Sequence, residues 1–178
     1  MDMESKDYRI IQRVRDYVQK YSCVGGFHGI EHWDRVYRNG QLLAASDVNS
    51  LVVGLFAYLH DSCRDSDDDD LQHGSRAAAF VDEVREELLW DVCDEEIALL
   101  KEACRFHTTS QRTGNPTIDV CFDADRLDLG RVGIIPDPDK MATDRGKTLA
   151  SVLLCLGEQY HCGLVVGTIS PGPMPLEH

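Results

Sequence analysis

Five separate stretches of this 178-residue chain carry side chains able to bind a metal: His32, the adjacent pair His60 and Asp61, His73, His107, and Asp125. Helical periodicity puts each of them on or beside an apolar face. A buried imidazole or carboxylate without a partner is costly or is driven to its neutral form. Taken singly, each histidine reads as a hydrogen-bonded core residue. Taken together, the set calls for a compensating cation. Imidazole nitrogens and carboxylate oxygens without thiolates suit manganese, iron, magnesium or zinc in an open, roughly octahedral site, rather than a closed structural zinc. Open coordination positions imply catalysis.

The elements that must position these residues are helical. The run LVVGLFAYLHD over 51–61 is apolar on every side and predicts a buried central helix ending in His60 and Asp61. Asp47 and Asn49 are suitable caps for its start. Other helices are expected over about 4–21, 29–45, 71–89 and 94–107, the last two carrying His73 and His107 at one end of their stripes. Asn115 followed by Pro116 is a start signal for a further helix. On it Ile118, Phe122, Asp125 and Leu129 share a face, so Asp125 points inward. The β-branched TIDVCF keeps a strand open as an alternative there, and a last helix is expected over about 143–160. The predicted class is all-α, a helical bundle with the site between its central helices.

With 18 Lys and Arg against 31 Asp and Glu, the net charge is −13, which disfavours DNA, RNA and anionic membranes as partners. A small phosphorylated ligand stays compatible if a bound cation reverses the local sign. The seven cysteines are scattered without a Cys-x-x-Cys pair, which argues against a zinc ribbon or a disulfide framework. With no apolar leader at the amino terminus, a cytoplasmic protein is expected. The apolar stretch 149–169 is broken by Glu158, Gln159 and His161, so it reads as a packed helix and tail rather than a membrane span. A single domain is expected over 1–169, with a tail over 170–178 whose Leu176, Glu177 and His178 resemble the start of an expression tag. The acidic run of Asp65 and Asp67 to Asp70 lacks the ligand alternation of an EF-hand and reads as an exposed loop near the mouth of the site.

HGIEHWDRV (28–36), AYLHD (57–61) and FDADRLD (122–128) resemble, in wording and in order, the signature of the HD-domain metal-dependent phosphohydrolases. The resemblance covers about 25–135 and implies that family's helical fold. Carried over residue by residue, it makes His32, His60, Asp61 and Asp125 the metal ligands. Asp61 would also orient the attacking water. Some members use two further histidines for a second metal. His73 and His107 lie in the corresponding interval, and would either do the same or bind phosphate and protonate the leaving oxygen. Arg35, one turn from His32, is placed to hold phosphate oxygens or to brace a ligand, its alternative being a pair with Asp34 or Asp128. His28 could touch substrate, and Asp123 and Asp128 read as supporting or capping groups.

The implied activity is hydrolysis of a small phosphoester, such as a nucleotide, with a divalent cofactor and no polymer or membrane partner. Two other functions fit the same scaffold: a di-iron oxygenase, and a regulatory module that binds metal and nucleotide without turnover.

Overall fold

The computed structural model describes residues 5–22, 24–66 and 70–159, for the last three of these the backbone only. Among them are eight α-helices and no strand: α1 (Lys6–Tyr21), α2 (Ile30–Leu43), α3 (Ser50–Leu59), α4 (His73–Glu83), α5 (Arg85–Leu88), α6 (Asp94–Phe106), α7 (Pro116–Arg126) and α8 (Asp144–Gln159). The all-α expectation holds. TIDVCF lies inside α7 rather than in a strand, because Asn115 caps the helix by accepting from the backbone N–H of Thr117 and Ile118 and Pro116 occupies the first turn.

Helix α3 is the axis of the bundle. Every residue from Leu51 to Leu59 is buried, and α1, α2, α6 and α7 pack around it, with α4 laid on α6. Its start is fixed by Asn49, not Asp47. The Asn49 side chain accepts from Val52 N at 3.0 Å and donates to Glu96 of α6 at 2.9 Å, while its backbone N–H donates to Thr117 Oγ1 of α7 at 2.9 Å. One cap thus sets the register of three helices. On the other side Asp34 of α2 takes a two-pronged pair from Arg15 of α1, at 2.9 and 2.8 Å, and the Tyr58 hydroxyl of α3 at 3.0 Å. The carboxyl of Asp34 lies below its usual range: burial opposes this, and Arg15 and Tyr58 outweigh it.

The single helix expected over 71–89 is instead two. The chain bends at Val84, which leaves helical geometry, and α5 follows. The bend turns Leu88, Leu89 and Val92 into the core. Arg13 of α1 then holds the Leu88 carbonyl at 2.7 Å and Asp91 at 2.5 Å. Helix α4 approaches α6 very closely at Gly74, where an added Cβ would lie 2.6 Å from the Cys104 carbonyl oxygen. Only a residue without a side chain permits that approach. His73 begins α4 and His107 caps the end of α6, so this contact decides how near they come.

The acidic run is partly corrected. Asp65 is exposed, but Asp70 is not: its carboxylate pairs with Arg76 and accepts from the backbone of Asp65 at 3.0 Å and Gln72 at 3.3 Å. Arg76 and these amides hold the Asp70 carboxyl down, against the effect of burial, to about 2. Asp67 to Asp69, Tyr160 and the tail with its tag-like end lie outside the described residues.

Candidate metal centre

His60 is the C-terminal cap of α3, and the chain stays in tight turns through Cys63, so the doublet leaves the buried helix without leaving the core. His60 and Asp61 are almost wholly inaccessible, as are His32, His73 and His107. Asp125, near the end of α7, is the most open of the set, with 16 % of its side chain exposed.

The four imidazoles are oriented alike. His60 Nδ1 faces the carbonyl oxygens of Phe56 and Ala57 at 3.1 and 3.2 Å, and His107 Nδ1 faces that of Cys104 at 2.7 Å. His73 Nδ1 faces the carbonyl of Asp70. His32 Nδ1 lies 2.7 Å from Asp128 Oδ2, whose other oxygen takes the Arg35 guanidinium at 2.7 Å. Carbonyl and carboxylate oxygens only accept, so each Nδ1 carries the proton and each Nε2 presents a lone pair.

Those lone pairs converge in two groups. His32 Nε2 and His60 Nε2 are 3.2 Å apart, with Asp125 Oδ1 at 3.4 and 3.7 Å and Asp61 Oδ2 at 3.6 Å from both. His73 Nε2 and His107 Nε2 are 3.0 Å apart, with Asp61 Oδ1 at 3.3 and 3.7 Å. Asp61 therefore faces both groups, one oxygen to each. Donors about 2.0 to 2.3 Å from a common cation lie roughly 3 to 3.7 Å from one another, which is the spacing found. Two triads, His32 with His60 and Asp125, and His60 with Asp61 and His107, keep their donor atoms within 4.8 Å of one another. Asp61 Oδ1 and Asp125 Oδ1 are buried and make no hydrogen bond. Native proteins rarely leave such atoms unsatisfied, and a divalent cation would satisfy both. The residues present fit such an ion.

Without a cation, lone pairs face one another, and the proton affinities split. Burial drives the pKa of His60 down to about 4 despite Asp61 and Asp125 nearby, whereas that of His32 is raised because Asp128, Asp61 and Asp125 outweigh its burial. The second pair behaves likewise. His107 is raised, burial being overcome by the facing Asp61 and the charge of Asp125, and His73 is lowered, chiefly by burial. The carboxyl of Asp61 sits well below its ordinary range: burial opposes this, and the surrounding imidazoles prevail.

His28 packs its ring edge-on to His32, centroids 6.3 Å apart, one layer out from the donors. Arg35 braces Asp128, the alternative weighed for it. Asp123 holds the chain entering α8 by accepting from Ala142 N at 2.7 Å and Thr143 N at 2.8 Å. A cavity of about 560 Å³ lies between α1 and α4, bordered by Tyr17, Tyr21, Phe80 and Arg64, and none of the six candidate donors lines it. Two arginines that the sequence reading left out stand next to the unpartnered oxygens: Arg64 near Asp61 and Arg131 near Asp125. Periodicity could not find them, because both lie in turns.

The fold and the cluster define an all-helical protein with a buried His/Asp site positioned to chelate a divalent metal between its central helices. No family model, curated protein or solved structure matches the chain. No helix among the described residues is long and apolar enough to cross a membrane.

Proposed function

We propose that the chain is an HD-domain metal-dependent phosphohydrolase that cleaves a small phosphoester with an activated water. The observation that carries this reading is the shared orientation of the four imidazoles, each with Nδ1 tied to an acceptor and Nε2 turned toward Asp61 or Asp125. In this reading His32, His60, Asp61 and Asp125 are the ligands of the first cation, and His73 and His107 hold a second one against Asp61 Oδ1. Divalent cations at these positions supply Lewis acidity, lowering a water's pKa toward neutrality and offsetting charge on a phosphoryl oxygen. Asp128 keeps His32 in the tautomer that offers Nε2, and Arg35 holds Asp128 in place. Asp61, where it does not ligate, orients the water.

Elemental analysis of the purified protein, followed by a panel of phosphoesters with added manganese, tests the reading. The variant Asp61→Ala should be folded by circular dichroism, depleted in metal and inactive. Full phosphatase activity in a folded Asp61→Ala protein would overturn the mechanism. One feature also favours a di-iron oxygenase: the donors fall into two groups that share Asp61. Iron in pairs, with oxygen-dependent turnover and no phosphate release, would decide for it. Metal and nucleotide binding with no turnover on any substrate would decide for a regulatory module.

A further inference from the structure

Resting on the phosphohydrolase reading, we propose that Arg131 binds the phosphoryl group of the substrate at the Asp125 end of the donor row, and that the apolar rim it anchors, led by Phe27, holds the organic half. The substrate class is then a small phosphoester whose alcohol carries a flat apolar group. Asp125 is the most open of the donors, so a ligand reaches the centre from that end. There Arg131, in the short 3-10 turn Leu129–Val132, puts Nη2 3.9 Å from Asp125 Oδ1, an oxygen that is buried without a hydrogen bond.

The distances separate this arginine from the structural ones. Where this protein uses arginine to neutralise a carboxylate, the contact is closed: 2.7 Å for Arg35 on Asp128 and 2.8 Å for Arg15 on Asp34. Arg131 stays at 3.9 Å from both Asp125 Oδ1 and Asp128 Oδ2, beyond hydrogen-bond range. The guanidinium is nonetheless held in place, with 9 % of the side chain exposed. Its Nε donates to the Phe27 carbonyl oxygen at 3.0 Å and its Nη1 to that of Asp128 at 3.2 Å, while among the described residues Nη2 has no hydrogen-bond acceptor. A donor fixed by backbone and held short of a metal-ligand oxygen is placed to meet a phosphoryl oxygen that also reaches the metal.

The same bonds join two chain segments, the 3-10 turns Gly26–His28 and Leu129–Val132, and large apolar side chains stand exposed on or just after both. Phe27 is 57 % exposed, and Val132, Ile134 and Ile135 are exposed as well. Ile134 stays beside its turn because its N–H closes on the Leu129 carbonyl at 3.2 Å, across Gly133 in the left-handed region. On the other segment His28, next to Phe27, packs against His32, so this rim is continuous with the donor row. Exposed apolar side chains gathered beside a site mark a contact surface. Its occupant is the organic group of the ester, because one guanidinium spans from the Phe27 carbonyl to the Asp125 oxygen, and the Phe27 ring offers a face for stacking.

The test uses the metal-loaded full chain and the variants Arg131→Gln, Arg131→Lys, Phe27→Ala and Phe27→Tyr. Four quantities are read: metal content, affinity for inorganic phosphate, self-association by sedimentation, and the ratio of kcat/KM on benzyl phosphate to that on ethyl phosphate, two esters of primary alcohols that differ in the ring. Arg131→Gln should keep its metal and bind phosphate at least about tenfold more weakly, the order of one charge-assisted hydrogen bond. Arg131→Lys keeps the charge without the fork and should fall between. Phe27→Ala should keep its metal and lower the benzyl-to-ethyl ratio roughly fivefold, with Tyr restoring it. Unchanged phosphate affinity in folded variants at 131 would overturn the phosphoryl assignment while leaving the hydrolase reading intact, Arg131→Lys deciding if the Gln variant does not fold. An unchanged ratio in Phe27→Ala would overturn the rim assignment, and self-association lost there instead would give the rim to a second copy of the chain. A parent protein that holds metal but cleaves neither ester would sink the hydrolase reading, and the phosphate affinities would still decide whether Arg131 binds the anion. Failure to take up any metal overturns both.

Discussion

Asp128 lies 2.7 Å from Nδ1 of His32, and among the described residues it is the acceptor that fixes which nitrogen of that ring faces the centre. Removing the carboxylate releases the ring to either tautomer and withdraws charge that makes Nε2 a better donor. Supporting partners of this kind are worth roughly 10- to 100-fold in metal affinity. Asp128→Ala should therefore lose about that much by competition with a chelating dye, with circular dichroism unchanged. Undiminished affinity would remove Asp128 from the centre.

Gly74 predicts a separable effect on the second group of donors. A methyl group there would collide with the Cys104 carbonyl, pushing α4 from α6 and His73 from His107. Gly74→Ala should lower stability by about 1 to 3 kcal/mol, as overpacking does, and reduce bound metal from two ions per chain to one. Thermal unfolding and elemental analysis check this, and two ions retained would show that His73 and His107 do not form a metal position.

Metal uptake should release protons. His32 and His107 have raised pKa values in the metal-free chain, so each keeps its proton through a range where an ordinary imidazole has lost it. A cation needs the neutral ring and expels that proton. Apparent affinity should rise with pH until both rings are neutral, then level off. His60, lowered to about 4, is already neutral near pH 7 and contributes nothing to this rise. Calorimetric titrations in buffers of different ionisation enthalpy measure the release, and none between pH 6 and 7 would contradict the raised proton affinities of His32 and His107.

Much of this architecture was legible in the sequence because it rests on local rules. The unbroken apolar run of α3, the Asn49 cap and the Asn115–Pro116 start are short-range signals, and the structure follows them. The inward turn of Asp125 followed from helical periodicity once α7 was placed. The break at Val84 was not legible, because it is imposed by Arg13 from α1 gripping Leu88 and Asp91. Asp70 read as one more member of a charge run, yet α4 brings Arg76 onto it and it is half-buried. Arg64 and Arg131 were missed because a turn carries no periodicity to say which way a long side chain reaches.

The most direct measurement is an anomalous difference map from crystals grown with manganese. A peak is predicted between α2, α3 and α7, about 2.0 to 2.3 Å from His32 Nε2, His60 Nε2, Asp61 Oδ2 and Asp125 Oδ1. A map without a peak there, or with its only strong peak elsewhere on this acidic chain, would contradict the metal centre itself.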